Sequence, residues 1–227
     1  MATIFCASMA VSMLAQTSAT ETKAENKSFW SNCFVSVAGG TQIYFGDHDP
    51  QADLGGRLAP ALDIAVGKWF NPVLGARLVY SGLQAKGATQ TWGAEGVHDT
   101  GNPIPGKHEH AYGFLNESKF KMGNIHADLL VNCSNWFCGY NETRLYNCSP
   151  YVGLGWAFVY DEPTTNKLTF NAGLLNSFRI NDALQANFDV RAMYVGDSFD
   201  GEKGGHGCEG MLTFTVGLTY NFKLRAW

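Results

Sequence analysis

Large side chains occupy every second position from Leu145 to Tyr160: Tyr146, Cys148, Pro150, Val152, Leu154, Trp156, Phe158 and Tyr160. Between them stand Asn147, Ser149, Tyr151, Gly153, Gly155 and Ala157. A period of two predicts a strand with one large apolar face and one face of small or polar residues. After the turn-forming stretch Asp161 to Asn166 the alternation resumes up to Asn181, with Phe170, Ala172, Leu174, Phe178 and Ile180 against Asn171, Gly173, Ser177, Arg179 and Asn181. The same pattern predicts six more strands: Cys33 to Phe45, Leu58 to Phe70, Val73 to about Gln84, Lys119 to Cys133, Leu184 to about Asp197, and Met211 to Phe222. Ala85 to Ser118 has no sustained period and reads as a large loop with little β structure, confined to its base. Ser134 to Arg144 reads as a turn region.

The predicted strands are longer than the usual five or six residues of a soluble sheet. Their connections alternate, with longer loops around Asp47, Gly101, Pro163 and Gly204 and shorter turns near Asn71, Phe137 and Asn181. An even-stranded antiparallel transmembrane β-barrel, with short turns at one rim and longer loops at the other, has this organisation. Closure also leaves no sheet edge facing lipid. The polar face carries no mid-strand lysine. It carries Asp63, Arg77, His126, Asp128, Arg179, Asp189 and Arg191 among small residues, as a narrow interior requires. The apolar face is therefore expected to meet lipid, and Phe45, Trp69, Phe70, Tyr80, Phe120, Tyr160, Phe178, Tyr194 and Phe222 near strand ends are expected to form interfacial belts.

Composition agrees with this reading and removes one class of function. Charged residues make up 16% of the 227, against roughly 25% in a typical soluble domain. A formal net charge of −4 with no basic run argues against a nucleic-acid partner. Ile4 to Gln16 is apolar and small, so residues 1–16 read as the remnant of a secretory signal, 17–28 as a polar leader and 29–227 as the barrel domain.

The segments Phe34 to Asp49, Leu62 to Gly82, Asn171 to Leu184 and Phe214 to Phe222 resemble the eight-stranded transmembrane domain of OmpA-like outer-membrane proteins, in the form found in the Bacteroides group. The resemblance runs from about Phe29 to Trp227. It implies a bacterial outer-membrane location, periplasmic short turns, surface-exposed loops, and a monomer surrounded by lipid and lipopolysaccharide. It also implies assembly by the outer-membrane insertion machinery, with Phe222 as the aromatic at the end of the last strand, although five residues trail it. Many members continue into a peptidoglycan-binding domain. Because this sequence ends soon after Phe222, wall anchoring is not among the expectations.

The candidate chemistry is sparse. The seven charged and imidazole residues of the polar face are expected to form an interior network, with a structural role rather than a narrow water path. A small low-conductance porin is one alternative. The other is a lipid-modifying enzyme that pairs His126 and Asp128 with Ser36, Ser81, Ser149 or Ser177, but the chain lacks a G-x-S-x-G elbow. His108-Glu109-His110 is too unspecific to predict a metal site, and no catalytic residue, cofactor or metal is expected. Cys133 with Cys138 or with Cys148 could form a disulfide at the short-turn rim, against free thiols as the simpler state. Cys208 falls at the opposite rim. The expected role is that of a structural or surface-interaction barrel.

Overall fold

A computed structural model describes residues 30–46, 49, 52–89, 98–104, 115–196, 199 and 208–222, and among these described residues there are nine strands and two short helices. The signal-like segment 1–16, the leader 17–28, and His48, His108, His110 and His206 lie outside the described residues. The strands are β1 (Cys33–Phe45), β2 (Leu58–Trp69), β3 (Leu74–Thr89), β4 (Asp99–Pro103), β5 (Asn116–Val131), β6 (Tyr146–Val159), β7 (Asn166–Arg179), β8 (Leu184–Gly196) and β9 (Cys208–Asn221). The helices are α1 (Leu54–Arg57) and α2 (Cys133–Cys138).

Eight of the strands close into an antiparallel barrel. Each pairs with the next strand of the ring along the chain, β3 pairing directly with β5 while the short β4 stands on the other edge of β5, and β1 pairs with β9 to complete the ring. The predicted fold is therefore the observed one. Two tight turns at one rim share a device: the Asn71 side chain accepts from the N–H of Val73 and Leu74, and that of Asn181 accepts from Ala183 and Leu184. Asparagine thus fixes the turn and the register on either side of it.

The predicted large loop contains more structure than its sequence suggests. β3 continues to Thr89 and pairs with a β5 that begins at Asn116. The β5–β6 ladder ends at Met122 and Val159, and beyond that point β4 takes up the vacated edge of β5 at Asn116 and Ser118. The predicted turn region 134–144 holds α2, whose N-cap Asn132 accepts from the N–H of Asn135.

The faces sort as the alternation predicts over most of the barrel. Val216 and Leu154 are 65% and 63% exposed, whereas Asp189 and Arg191 are 5% and 2% exposed. A wall of outward Val, Leu, Ile and Phe with buried aspartates and arginines is the inverse of a soluble barrel.

Candidate functional site

The interior is filled in layers, beginning at the short-turn rim. Phe34, Trp69, Leu130, Tyr151 and Leu175 form a buried apolar cluster. Trp69 was expected in an interfacial belt but lies inside, its ring 6.4 Å from that of Phe34.

Above this floor lies an ionic layer. Arg191 spans both oxygens of Asp63 at 3.0 Å and also donates to Ser81. Arg77 donates through Nε to Asp128 at 2.8 Å and through a terminal nitrogen to Asp189 at 2.9 Å. The Arg77 guanidinium lies 4.2 Å from the centroid of the Tyr151 ring, whose hydroxyl donates to Asp189 at 2.7 Å. Each charge is thus paired and hydrogen-bonded, as burial requires. Two glycines make the room: a Cβ at Gly153 would stand 2.1 Å from Asp128 Oδ1, and one at Gly173 would stand 2.4 Å from the Tyr151 hydroxyl. Next comes a neutral layer, in which Asn124 donates to Asn171 at 3.0 Å and Thr169 donates to Asn124 at 3.0 Å.

Asp63, Arg77, His126, Asp128, Asp189 and Arg191 meet in this layer, but Arg179 does not. It was expected in the same network, yet it stands at the last residue of β7 and pairs with Asp182 in the following turn. Its parity points it inward, but its place at the end of the strand leaves it beside solvent and a nearer carboxylate. Tyr151, which joins Arg77 to Asp189, escaped the sequence reading. A lone large aromatic on a face of glycines, serines and asparagines was its only signal.

The far end of the lumen is apolar again. Tyr44, Ala85, Phe120, Met122, Ala157, Val159, Met193, Val195, Phe199 and Met211 form one buried cluster. The Tyr44 and Phe120 rings meet edge-on at 5.6 Å, Phe120 and Phe199 at 6.0 Å, and His98 stacks on Phe120 at 4.9 Å. Phe120, also expected in a belt, is buried here. Polar ties secure the plug: Glu209 accepts from the Tyr44 hydroxyl and from the Phe199 N–H, and Asp49 accepts from the N–H of Gly46 and Ala88.

A hydrolytic pairing does not form around His126. Its Nδ1 lies 2.7 Å from Asp128 and its Nε2 faces an Arg191 nitrogen at 3.4 Å. Arginine can only donate, so Nε2 accepts and Nδ1 carries the proton. Both ring nitrogens are therefore engaged, and neither with a serine. Among the described residues no group of three His, Cys, Asp or Glu side chains is placed to hold a metal ion. Cys133, Cys138 and Cys148 are free thiols in this structure.

A closed ring of eight antiparallel strands with an apolar outer wall and a sealed polar middle is a transmembrane β-barrel. Among the described residues no helix is long and apolar enough to cross a membrane. The chain is 24% identical over 204 residues to outer membrane protein 40 of Porphyromonas gingivalis, a match covering 86% of this chain and 48% of that protein. It is 26% identical over 169 residues to outer membrane protein 41 of the same organism, covering 72% of this chain and 38% of that protein. The chain thus spans less than half the length of these curated relatives. Among solved structures it resembles the crystal structure of Neisserial surface protein A, with a TM-score of 0.50 at 12% identity over 85% of this chain and 98% of the other, a likeness of fold. No protein-family profile matches the chain.

Proposed function

We propose that this chain is the membrane-embedded barrel of a bacterial outer-membrane protein, OmpA-like in the manner of the Bacteroides group, with a structural or surface-interaction role. The observation that carries the proposal is the way the described residues fill the lumen: an aromatic floor, a paired ionic layer and an apolar plug stand one above another. The ionic layer neutralises buried charge and fixes the strands around it, which is a structural task. The names of the two Porphyromonas gingivalis relatives support an outer-membrane location.

On this reading residues 1–16 act as a secretory signal, and the short turns face the periplasm. Lipid and lipopolysaccharide surround the wall, and the barrel works as a monomer because closure of the eight-stranded ring leaves no strand edge within the membrane to pair with a second copy. The insertion machinery reads the end of β9. There Phe222 is 46% exposed beside Trp30, and its N–H donates to Cys33 at the start of β1. Purified barrel in a planar lipid bilayer is expected to give no sustained channel steps. Large, reproducible conductance from the intact chain would overturn the sealed reading in favour of a porin.

A further inference from the structure

At the short-turn rim the β5–β6 ladder brings two cysteines together. Its register pairs Leu129 with Val152 and Leu130 with Tyr151. Carried on by three residues past the end of the ladder, the same register would set Cys133, the first residue of α2, opposite Cys148. Both stand on the outward parity of their strands and both are half-buried. The chain segments stay in contact beyond the last ladder pair. Asn132 donates to Asn147 at 3.3 Å, and the N–H of Cys148 donates to the Ser134 hydroxyl at 3.0 Å.

We propose that Cys133 and Cys148 are a disulfide pair that closes in an oxidising envelope. Directly opposed residues of antiparallel strands have Cα atoms about 4.5–5.5 Å apart, inside the roughly 4.4–6.8 Å range that a disulfide spans. Cys138 is excluded as the partner of Cys133 by the helix between them. The two cysteines are the first and last residues of α2, and five steps of about 1.5 Å each set them at least about 7.5 Å apart, beyond the reach of about 7 Å. Cys33 starts β1, across the barrel from β6, and Cys208 starts β9 at the opposite rim. Burial and the neighbouring Cys148 sulfur push the Cys133 thiol above its usual range, as two thiols sharing one patch do.

Closure proceeds by exchange with a disulfide-bearing oxidant, either a protein oxidoreductase or a small-molecule disulfide. One cysteine, as thiolate, attacks the oxidant's S–S bond and releases the first of its sulfurs as a thiolate. The second cysteine then attacks the mixed disulfide and releases the other. The chain loses two protons and two electrons, and the oxidant's disulfide becomes two thiols. The product staples the start of α2 to β6 and encloses the whole turn segment that carries Trp136 and Phe137.

The test is peptide mapping of the full chain, secreted into an oxidising envelope, extracted in detergent with an alkylating agent present and digested without reduction. Trypsin separates 122–144, which holds Cys133 and Cys138, from 145–167, which holds Cys148. The two peptides are expected to remain linked. Further cleavage after Trp136 and Phe137 separates Cys133 from Cys138, and the link is expected to stay with Cys133. Cys138→Ser should leave it intact, and Cys133→Ser should abolish it. If wild-type protein is fully alkylated at both Cys133 and Cys148, or if the link travels with Cys138, the proposal fails. The wild-type map decides this even if a variant does not fold, and it does not depend on the conductance test of the sealed lumen.

Discussion

The middle of the barrel and its far end are built on opposite principles, and β5 contains both. From Gly123 to Val131 its outward residues include Ile125, Ala127 and Leu129, and its inward ones Asn124, His126 and Asp128. From Asn116 to Met122 the outward residues are Glu117, Lys119 and Lys121, and the inward ones Ser118, Phe120 and Met122. The backbone alternates without interruption, but the hydrophobic phase inverts at Gly123. What changes is the medium outside. Hydrocarbon demands apolar groups on the wall and leaves the polar ones to pair within, whereas water reverses both demands. The far end is a small collar with an ordinary apolar core, set on top of an inside-out one.

The comparison can be broken most severely in the ionic layer. Arg191→Ala would leave Asp63 buried beside an unfilled space, and an unpaired buried charge costs about 3–5 kcal/mol. Reversible unfolding in denaturant, followed by tryptophan fluorescence in lipid vesicles, should register a loss of that size. A loss below about 1 kcal/mol would mean that the layer is wetter than its burial implies.

A next step down in effect contrasts the two outer walls. Val216→Arg at mid-height should destabilise by about 2–4 kcal/mol in a bilayer, while Lys121→Ala on the collar should stay within about 0.5 kcal/mol. Equal costs at the two positions would remove the basis for the inversion.

The smallest effect concerns pH. His98 is buried on Phe120, and burial lowers its pKa below 6.5, against the opposing pull of Asp161 and the Pro163 backbone. The unfolded chain therefore binds the proton more tightly. The His98 contribution is complete above about pH 6.5 and is lost as the pH falls through that value toward the lower folded one. Hydrogen exchange at residues 116–122, corrected for intrinsic rate, should show weaker protection at pH 5 than at pH 7.5, and His98→Leu should flatten the difference. Unchanged protection in the wild type would show that His98 does not hold the collar closed.

Much of this was legible in the residues. Asp63, Arg77, Asp128, Asp189 and Arg191 stand at inward parity within long alternating runs, so their convergence follows from closure. The collar escaped because a reading that follows one apolar face loses a strand where that face changes sides. Phe120 then looks like the last aromatic of a belt rather than the first of a core, and residues 85–118 look like loop. Trp69 misled for a related reason, since an aromatic at a strand end serves a belt or a floor equally well and only parity separates the two. The pairing of β4 with β5 left no trace in Asp99–Pro103, a stretch in which four of five residues are turn formers and none carries a large apolar side chain.

The inversion at Gly123 also works as a depth mark. Seven residues of β5 stand above it, at about 3.4 Å each along a strand tilted by about 40°, so the paired sheet rises about 18 Å beyond the hydrocarbon boundary. The headgroup zone takes up only about 5–7 Å of that height. The two ends of the β3–β5 connection, Thr89 and Asn116, therefore pair at a height already clear of the lipid.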